Sequence, residues 1–132
     1  MFKRSHIFLA AALLIAWAAA FPLLEPNALL NTRGGGDSPF LLQRLHQLLA
    51  GLSDGQFPVR WMPDAAYGVG YPFFHYYAPL SIYVAAFFKT VGFPFTRAIQ
   101  LAQLSGFLVA AWSVFALARL WFKDEWAALL AS

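Results

Sequence analysis

Cysteine is absent from the 132 residues, so disulfide staples, thiolate-bound zinc and thiol nucleophiles are excluded. Charge is scarce: Asp, Glu, Lys and Arg make up 11% of the chain, against about 25% in an ordinary soluble domain. Lys and Arg are scattered, with no basic run and no basic stripe interleaved with aromatics, which argues against nucleic acid as a partner. The three histidines, His6, His46 and His75, lie too far apart for a His-x3-His or related ligand spacing, so no metal site is predicted from them.

What the chain does contain is hydrophobic side chains, 61% of the total, the composition of a membrane protein whose first partner is the lipid bilayer. A basic start, MFKRS, precedes residues 7–24, which carry no charge and as a helix extend about 27 Å, enough to cross a bilayer core. A cleaved signal peptide competes with this reading, because Ala18-Ala19-Ala20 resembles a small-residue cleavage site. The apolar run continues past it through Phe21, Leu23 and Leu24 and exceeds the roughly 7 to 15 residues of a usual signal h-region, which favours an uncleaved membrane helix.

Residues 25–77 form a polar interval that holds Glu25, Arg33, Asp37, Arg44, Asp54, Arg60 and Asp64, with most of the glycines and prolines. Inside it, Asp37 or Ser38 suits an N-cap and Pro39 a first helical position. Leu41, Leu42, Leu45, Leu48, Leu49 and Leu52 then recur at helical spacing, with Gln43, Arg44, His46 and Gln47 on the other side. The pattern predicts an amphipathic helix over 39–52, too short to span and expected to lie along the membrane surface.

Aromatic residues of the kind enriched at membrane interfaces, Tyr71, Phe73, Phe74, Tyr76 and Tyr77, introduce a second apolar run over 78–91, read as a second span. Gly92-Phe93-Pro94 breaks it, and residues 98–122 form a third span long enough to cross with tilt. Lys123-Asp124-Glu125 marks a turn, and 126–132 starts a fourth helix with no capping signal, as in the N-terminal piece of one larger polytopic domain. Lys3 and Arg4 group with Lys89 and Arg97 on one side of this arrangement, against Arg119 and Lys123 on the other. The expectation is a cytoplasmic N-terminus and an external 25–77 loop.

Asp37 is the only carboxylate in the stretch GGGDSPFLLQRLH. Glycines beside it let backbone approach a ligand closely, and a helix N-terminus favours its charged form, able to accept a proton or bind a divalent cation. The plainer assignment is that Asp37 only caps the helix. Arg44 and Arg60 offer planar forks suited to phosphate, or are simply solvated. Tyr67, Tyr71, Tyr76 and Tyr77 offer ring faces and hydroxyls suited to a sugar or an isoprenoid chain, with His75 as a proton donor or phosphate partner. The alternative for each is an interfacial aromatic belt. Gly68-Val69-Gly70 is no dinucleotide fingerprint, because Phe73 stands where the third glycine belongs.

Three segments carry a family resemblance. They are the D-x-x-F-L-x-x-R entry (Asp37, Phe40, Leu41, Arg44), the G-x-F-P-x-R-W segment (Gly55 to Trp61) and Y-G-x-G-Y-P-x-F-x-Y-Y-x-P-L (Tyr67 to Leu80). Over about residues 7–122 the chain resembles the amino-terminal part of bacterial polytopic proteins known as 6-pyruvoyl-tetrahydropterin synthase-related membrane proteins, which look related to GT-C glycosyltransferases and to YfhO-type membrane proteins. The resemblance implies an all-α, GT-C-like transmembrane bundle in the bacterial cytoplasmic membrane, with Asp37 at the position of the acidic residue in the first external loop.

The implied chemistry is inverting transfer of a sugar from a polyprenyl-phosphate donor to a cell-surface acceptor. Asp37 would be general base, and Arg44 or Arg60 would stabilise the departing phosphate, beside a substrate site including Tyr67, His75, Tyr76 and Tyr77. Because the donor-binding carboxyl-terminal part lies in the remainder of the protein, this piece alone is expected to be inactive. The rival reading is a non-catalytic membrane protein that binds lipid or assists export of a cell-envelope polymer. A small transporter subunit fits less well: polar side chains marking a path are absent from 7–24, and 98–117 offers only Gln100, Gln103 and small hydroxyls.

Overall fold

A computed structural model describes residues 2–25 and 38–132. Among the described residues the chain is mostly helical, with a single isolated antiparallel bridge, Met62 to Tyr71, in place of strands. Six α-helices follow in chain order: α1 (Phe2–Ala20), α2 (Ser38–Ser53), α3 (Phe73–Tyr76), α4 (Leu80–Thr90), α5 (Phe95–Phe122) and α6 (Glu125–Ala131). They belong to two compact units, Met1–Glu25 with Gln103–Ser132, and Pro26–Ala102, so that α5 supplies residues to both.

In the first unit, α1 is an unbroken run of helix-forming and aliphatic residues. It gives way to a 3-10 turn at Phe21–Leu24, where Pro22 denies the helix a backbone donor. The apolar stretch Ser5–Leu24 (20 residues, mean hydropathy 2.4) and α5 (28 residues, mean hydropathy 1.8) are each long and apolar enough to cross a membrane. Only 11% and 17% of these stretches is buried, whereas the core helix of a soluble domain would bury most of its length. The part of α5 in this unit that precedes the turn, residues 103–122, measures about 30 Å, the thickness of a bilayer core.

At the end of α5, Lys123 adopts a left-handed conformation (φ 54°) while its N–H still reaches the Arg119 carbonyl at 3.1 Å. Asp124 is extended, and its side chain accepts from the Trp126 N–H at 3.1 Å, capping α6. The turned chain then packs on α1. Ala12, Phe115, Ala118 and Ala128 form a small core flanked by Phe8, Leu9 and Leu129, and the Phe8 and Trp126 rings meet edge to face at 4.8 Å. Alanines at these positions let the helices approach closely, as small residues do between membrane helices.

Phe8 lies one turn beyond Arg4, and Trp126 comes directly after the Lys123 turn. Their contact brings the start of α1 and the end of α5 to one end of the unit. This corrects the grouping expected from sequence: Lys3 and Arg4 belong with Arg119 and Lys123. The expected grouping had counted residues 78–91 as a crossing. The helix there, α4, has 11 residues, about 16 Å and roughly half a bilayer core. Its Ile82, Ala85 and Ala86 are buried in protein.

In the second unit α2 runs two residues longer than predicted, and its leucines do face one way. Leu45 and Leu48 are fully buried, with Leu41, Leu42, Leu49 and Leu52 packed around them against Val59, Met62, Ala65, Phe74 and the buried face of α4. The leucine stripe is therefore spent inside the protein and is not laid on a bilayer, a second correction. Gln47, expected on the polar side, is also buried. It is satisfied there because its amide donates to Asp64 Oδ2 and accepts from the Asp64 backbone N–H, both at 2.8 Å.

Candidate functional site

The second unit builds a cleft on the flank of α2. Phe40, Gln43 and Arg44 stand at i, i+3 and i+4 on that helix, one ridge of its surface. Opposite them, residues 62–71 double back as a closed loop. Met62 and Tyr71 exchange backbone hydrogen bonds of 2.9 and 3.0 Å, and within the loop Gly70 N–H donates to the Ala65 carbonyl at 2.8 Å.

Folding so tight a return requires left-handed backbone at Ala66, Tyr67, Gly68 and Gly70. At Gly70 a second constraint applies: a Cβ there would sit inside the Trp61 indole, so only glycine lets that ring lie on the backbone. Gly68 faces open space and answers to conformation alone.

After the loop, α3 places Phe73 and Tyr77 one turn apart, with rings stacked at 4.4 Å and 6°. The Arg44 guanidinium lies 4.6 Å from the Phe73 ring centroid and 5.9 Å from that of Tyr77, so its cation is within attractive range of both rings. Between these walls is a cleft of about 350 Å³, lined by the α2 ridge, Met62, Ala65, Ala66, Tyr71, Phe73 and Tyr77. Its character is an apolar and aromatic floor with one amide and one fixed cation, the arrangement expected of a site for an anionic ligand carrying an apolar or ring-shaped body. Among the described residues no carboxylate lines it.

Of the residues singled out from sequence, the fold brings Arg44, Tyr71 and Tyr77 together at this cleft. Arg60 is exposed and lies outside the cleft lining. Tyr67 projects fully exposed from the loop tip, and Tyr76 is exposed beside His75, their rings 6.4 Å apart. Those three do not line the cleft. Asp37, the expected general base and cation ligand, and Arg33 fall outside the described residues. Among the described residues no three His, Asp or Glu side chains converge as metal ligands.

Sequence reasoning missed Phe40, Gln43, Met62 and Phe73 as cleft residues. The i, i+3, i+4 ridge on α2 and the i, i+4 pair Phe73/Tyr77 were the available signals. What was hidden is that the glycine-dependent loop turns one ridge toward the other. Comparison of the chain with family models, curated proteins and solved structures finds no match.

Proposed function

We propose that the chain is the N-terminal part of a GT-C-like glycosyltransferase of the bacterial cytoplasmic membrane, of the kind its sequence resembles. It transfers a sugar from a polyprenyl-phosphate donor to a cell-surface acceptor. The observation that carries this reading is Arg44 held within cation–π range of the Phe73 and Tyr77 rings at the edge of an aromatic-lined cleft. A guanidinium fixed by ring faces recognises a phosphate with little further ordering, and its fork can donate two parallel bonds. Aromatic faces suit a sugar ring or the first isoprene units.

In this reading α1 and α5 are the two crossings, and the basic residues Lys3, Arg4, Arg119 and Lys123 lie on the cytoplasmic side. Residues 26–102 emerge on the opposite side, where a lipid-carried sugar is presented. Asp37 directly precedes Ser38, the first residue of α2. As the oxygen of the acceptor hydroxyl attacks the anomeric carbon, the bond from that carbon to the phosphate oxygen breaks. The hydroxyl proton passes to the Asp37 carboxylate, and Arg44 neutralises the charge growing on the departing phosphate. A positioned base contributes about 10²- to 10⁴-fold; electrostatic stabilisation of the leaving group and the remainder of the protein supply the rest.

The lack of a carboxylate in the described cleft lining favours one second reading, a non-catalytic binder of the same lipid. A short-chain polyprenyl-phosphate sugar, titrated against the chain in detergent, tests the site: Arg44→Gln should weaken binding about tenfold or more, the loss expected for a charged hydrogen-bond partner. In cells making the whole protein, Asp37→Asn should insert normally and abolish transfer. Intact surface glycans in that variant remove the catalytic role and leave the binder, while unaltered binding by Arg44→Gln removes both.

A further inference from the structure

In the first unit α6 packs on α1, and between α1 and α5 a second cavity of about 440 Å³ remains. Ser5, His6 and Arg119 line its polar end, at the end of the unit where Lys3, Arg4 and Lys123 also lie in the chain. Leu9, Trp112 and Phe115 continue its walls. Leu9 stands one turn beyond Ser5, and Trp112 seven residues before Arg119, so the walls run about 10 Å along the helices away from the polar end.

We infer that this cavity is a binding site for an anionic phospholipid, with the phosphate at Arg119, His6 and Ser5 and the upper acyl chains along Leu9, Trp112 and Phe115. Two features select this occupant. The first is charge: Lys3, Arg4, Arg119 and Lys123 outnumber Asp124 and Glu125 near this end of the helices, and basic pockets between membrane helices on the cytoplasmic side hold acidic headgroups. Asp124 is already engaged as the cap of α6. The second is the gradation from polar end to apolar wall along the helices, which matches a lipid from phosphate to acyl chain and gives a free anion nothing to do with the wall. The site rests on α1 and α5 crossing a bilayer and is independent of the transferase reading.

The test uses the whole chain in phosphatidylcholine nanodiscs containing a minority of phosphatidylglycerol, with lipid retained after release counted by native mass spectrometry and helicity checked by circular dichroism. One phosphatidylglycerol per chain should be retained in preference to phosphatidylcholine. Arg119→Gln should lower its retention about fivefold, the effect of about one basic residue at an acidic membrane surface. Ala116 also lines the cavity, and Ala116→Phe, which fills it without altering charge, should abolish retention of the lipid. Millimolar glycerol 3-phosphate should not displace it.

Equal retention of the two lipids overturns the inference, as does retention unchanged by Ala116→Phe in a protein of normal helicity. So does an equal loss from Lys123→Gln and Arg119→Gln with none from Ala116→Phe, the signature of diffuse charge attraction. Displacement by glycerol 3-phosphate would show a site for the anion alone and would also overturn it.

Discussion

Two glycines in the turn between Tyr67 and Tyr71 illustrate how much a single side chain decides here. Gly68 and Gly70 share a left-handed backbone (φ 84° and 87°), so alanine at either incurs a conformational cost of about 1–2 kcal/mol. Only at Gly70 must the Trp61 ring also leave its place. Gly70→Ala should therefore lower stability more than Gly68→Ala, by a further 1 kcal/mol or so for the displaced packing. Thermal unfolding in detergent, followed by tryptophan fluorescence, measures the difference; equal losses would mean that the indole does not depend on this contact. Tyr67 stands next to Gly68 fully exposed, and its substitution by alanine should leave both stability and the Arg44-dependent binding within error. The sequence made Tyr67 and Tyr77 look equivalent as ligand-facing aromatics, and nothing local separates them. Their difference arises because one tops a turn and the other closes a stack beneath Arg44.

At the scale of elements, helices were legible and their surroundings were not. Periodicity over 39–52 anticipated α2, observed as Ser38–Ser53, and the apolar run over 98–122 anticipated α5, observed as Phe95–Phe122. The run over 78–91 gave the helix Leu80–Thr90, at 11 residues shorter than a crossing needs. Ile82, Ala85 and Ala86 would serve a bilayer or a protein core equally well, and only the length of the helix discriminates. The leucine stripe of α2 carries the same ambiguity. An amphipathic face shows that something covers it without showing what, and here the cover is α4 and the Val59 to Phe74 segment. Leu48→Ala should consequently behave as a core truncation, costing about 2–5 kcal/mol. Denaturant unfolding in detergent would detect this, whereas a bilayer-facing leucine would show almost no loss. Close packing is also enforced at Gly51, where an added Cβ would come within 2.6 Å of Val59 Cγ1. Alanine there should destabilise despite its better helix propensity.

For the molecule as a whole, two helices long and apolar enough to cross a membrane and the Phe8/Trp126 contact make sidedness a sharp question, and the absence of cysteine makes it easy to ask. In intact cells a membrane-impermeant thiol reagent should label Tyr67→Cys and leave Lys123→Cys unlabelled until the membrane is permeabilised. Labelling of both from outside would refute the paired crossings, and the reverse pattern would invert the proposed topology and remove the lipid-carried sugar from reach of the cleft. The contact between α1 and α6 also has a consequence in time. Phe8 and Trp126 are 118 positions apart in the chain. At synthesis rates of about 5–20 residues per second, roughly 6 to 24 s separate the appearance of one from the other. During that interval α1 has no α6 to cover Phe8 and Ala12. It must be tolerable to its surroundings unaccompanied, which is a reason for a stretch from Ile7 to Leu24 made, apart from Pro22, of alanine, leucine, isoleucine and aromatic residues without one charged side chain.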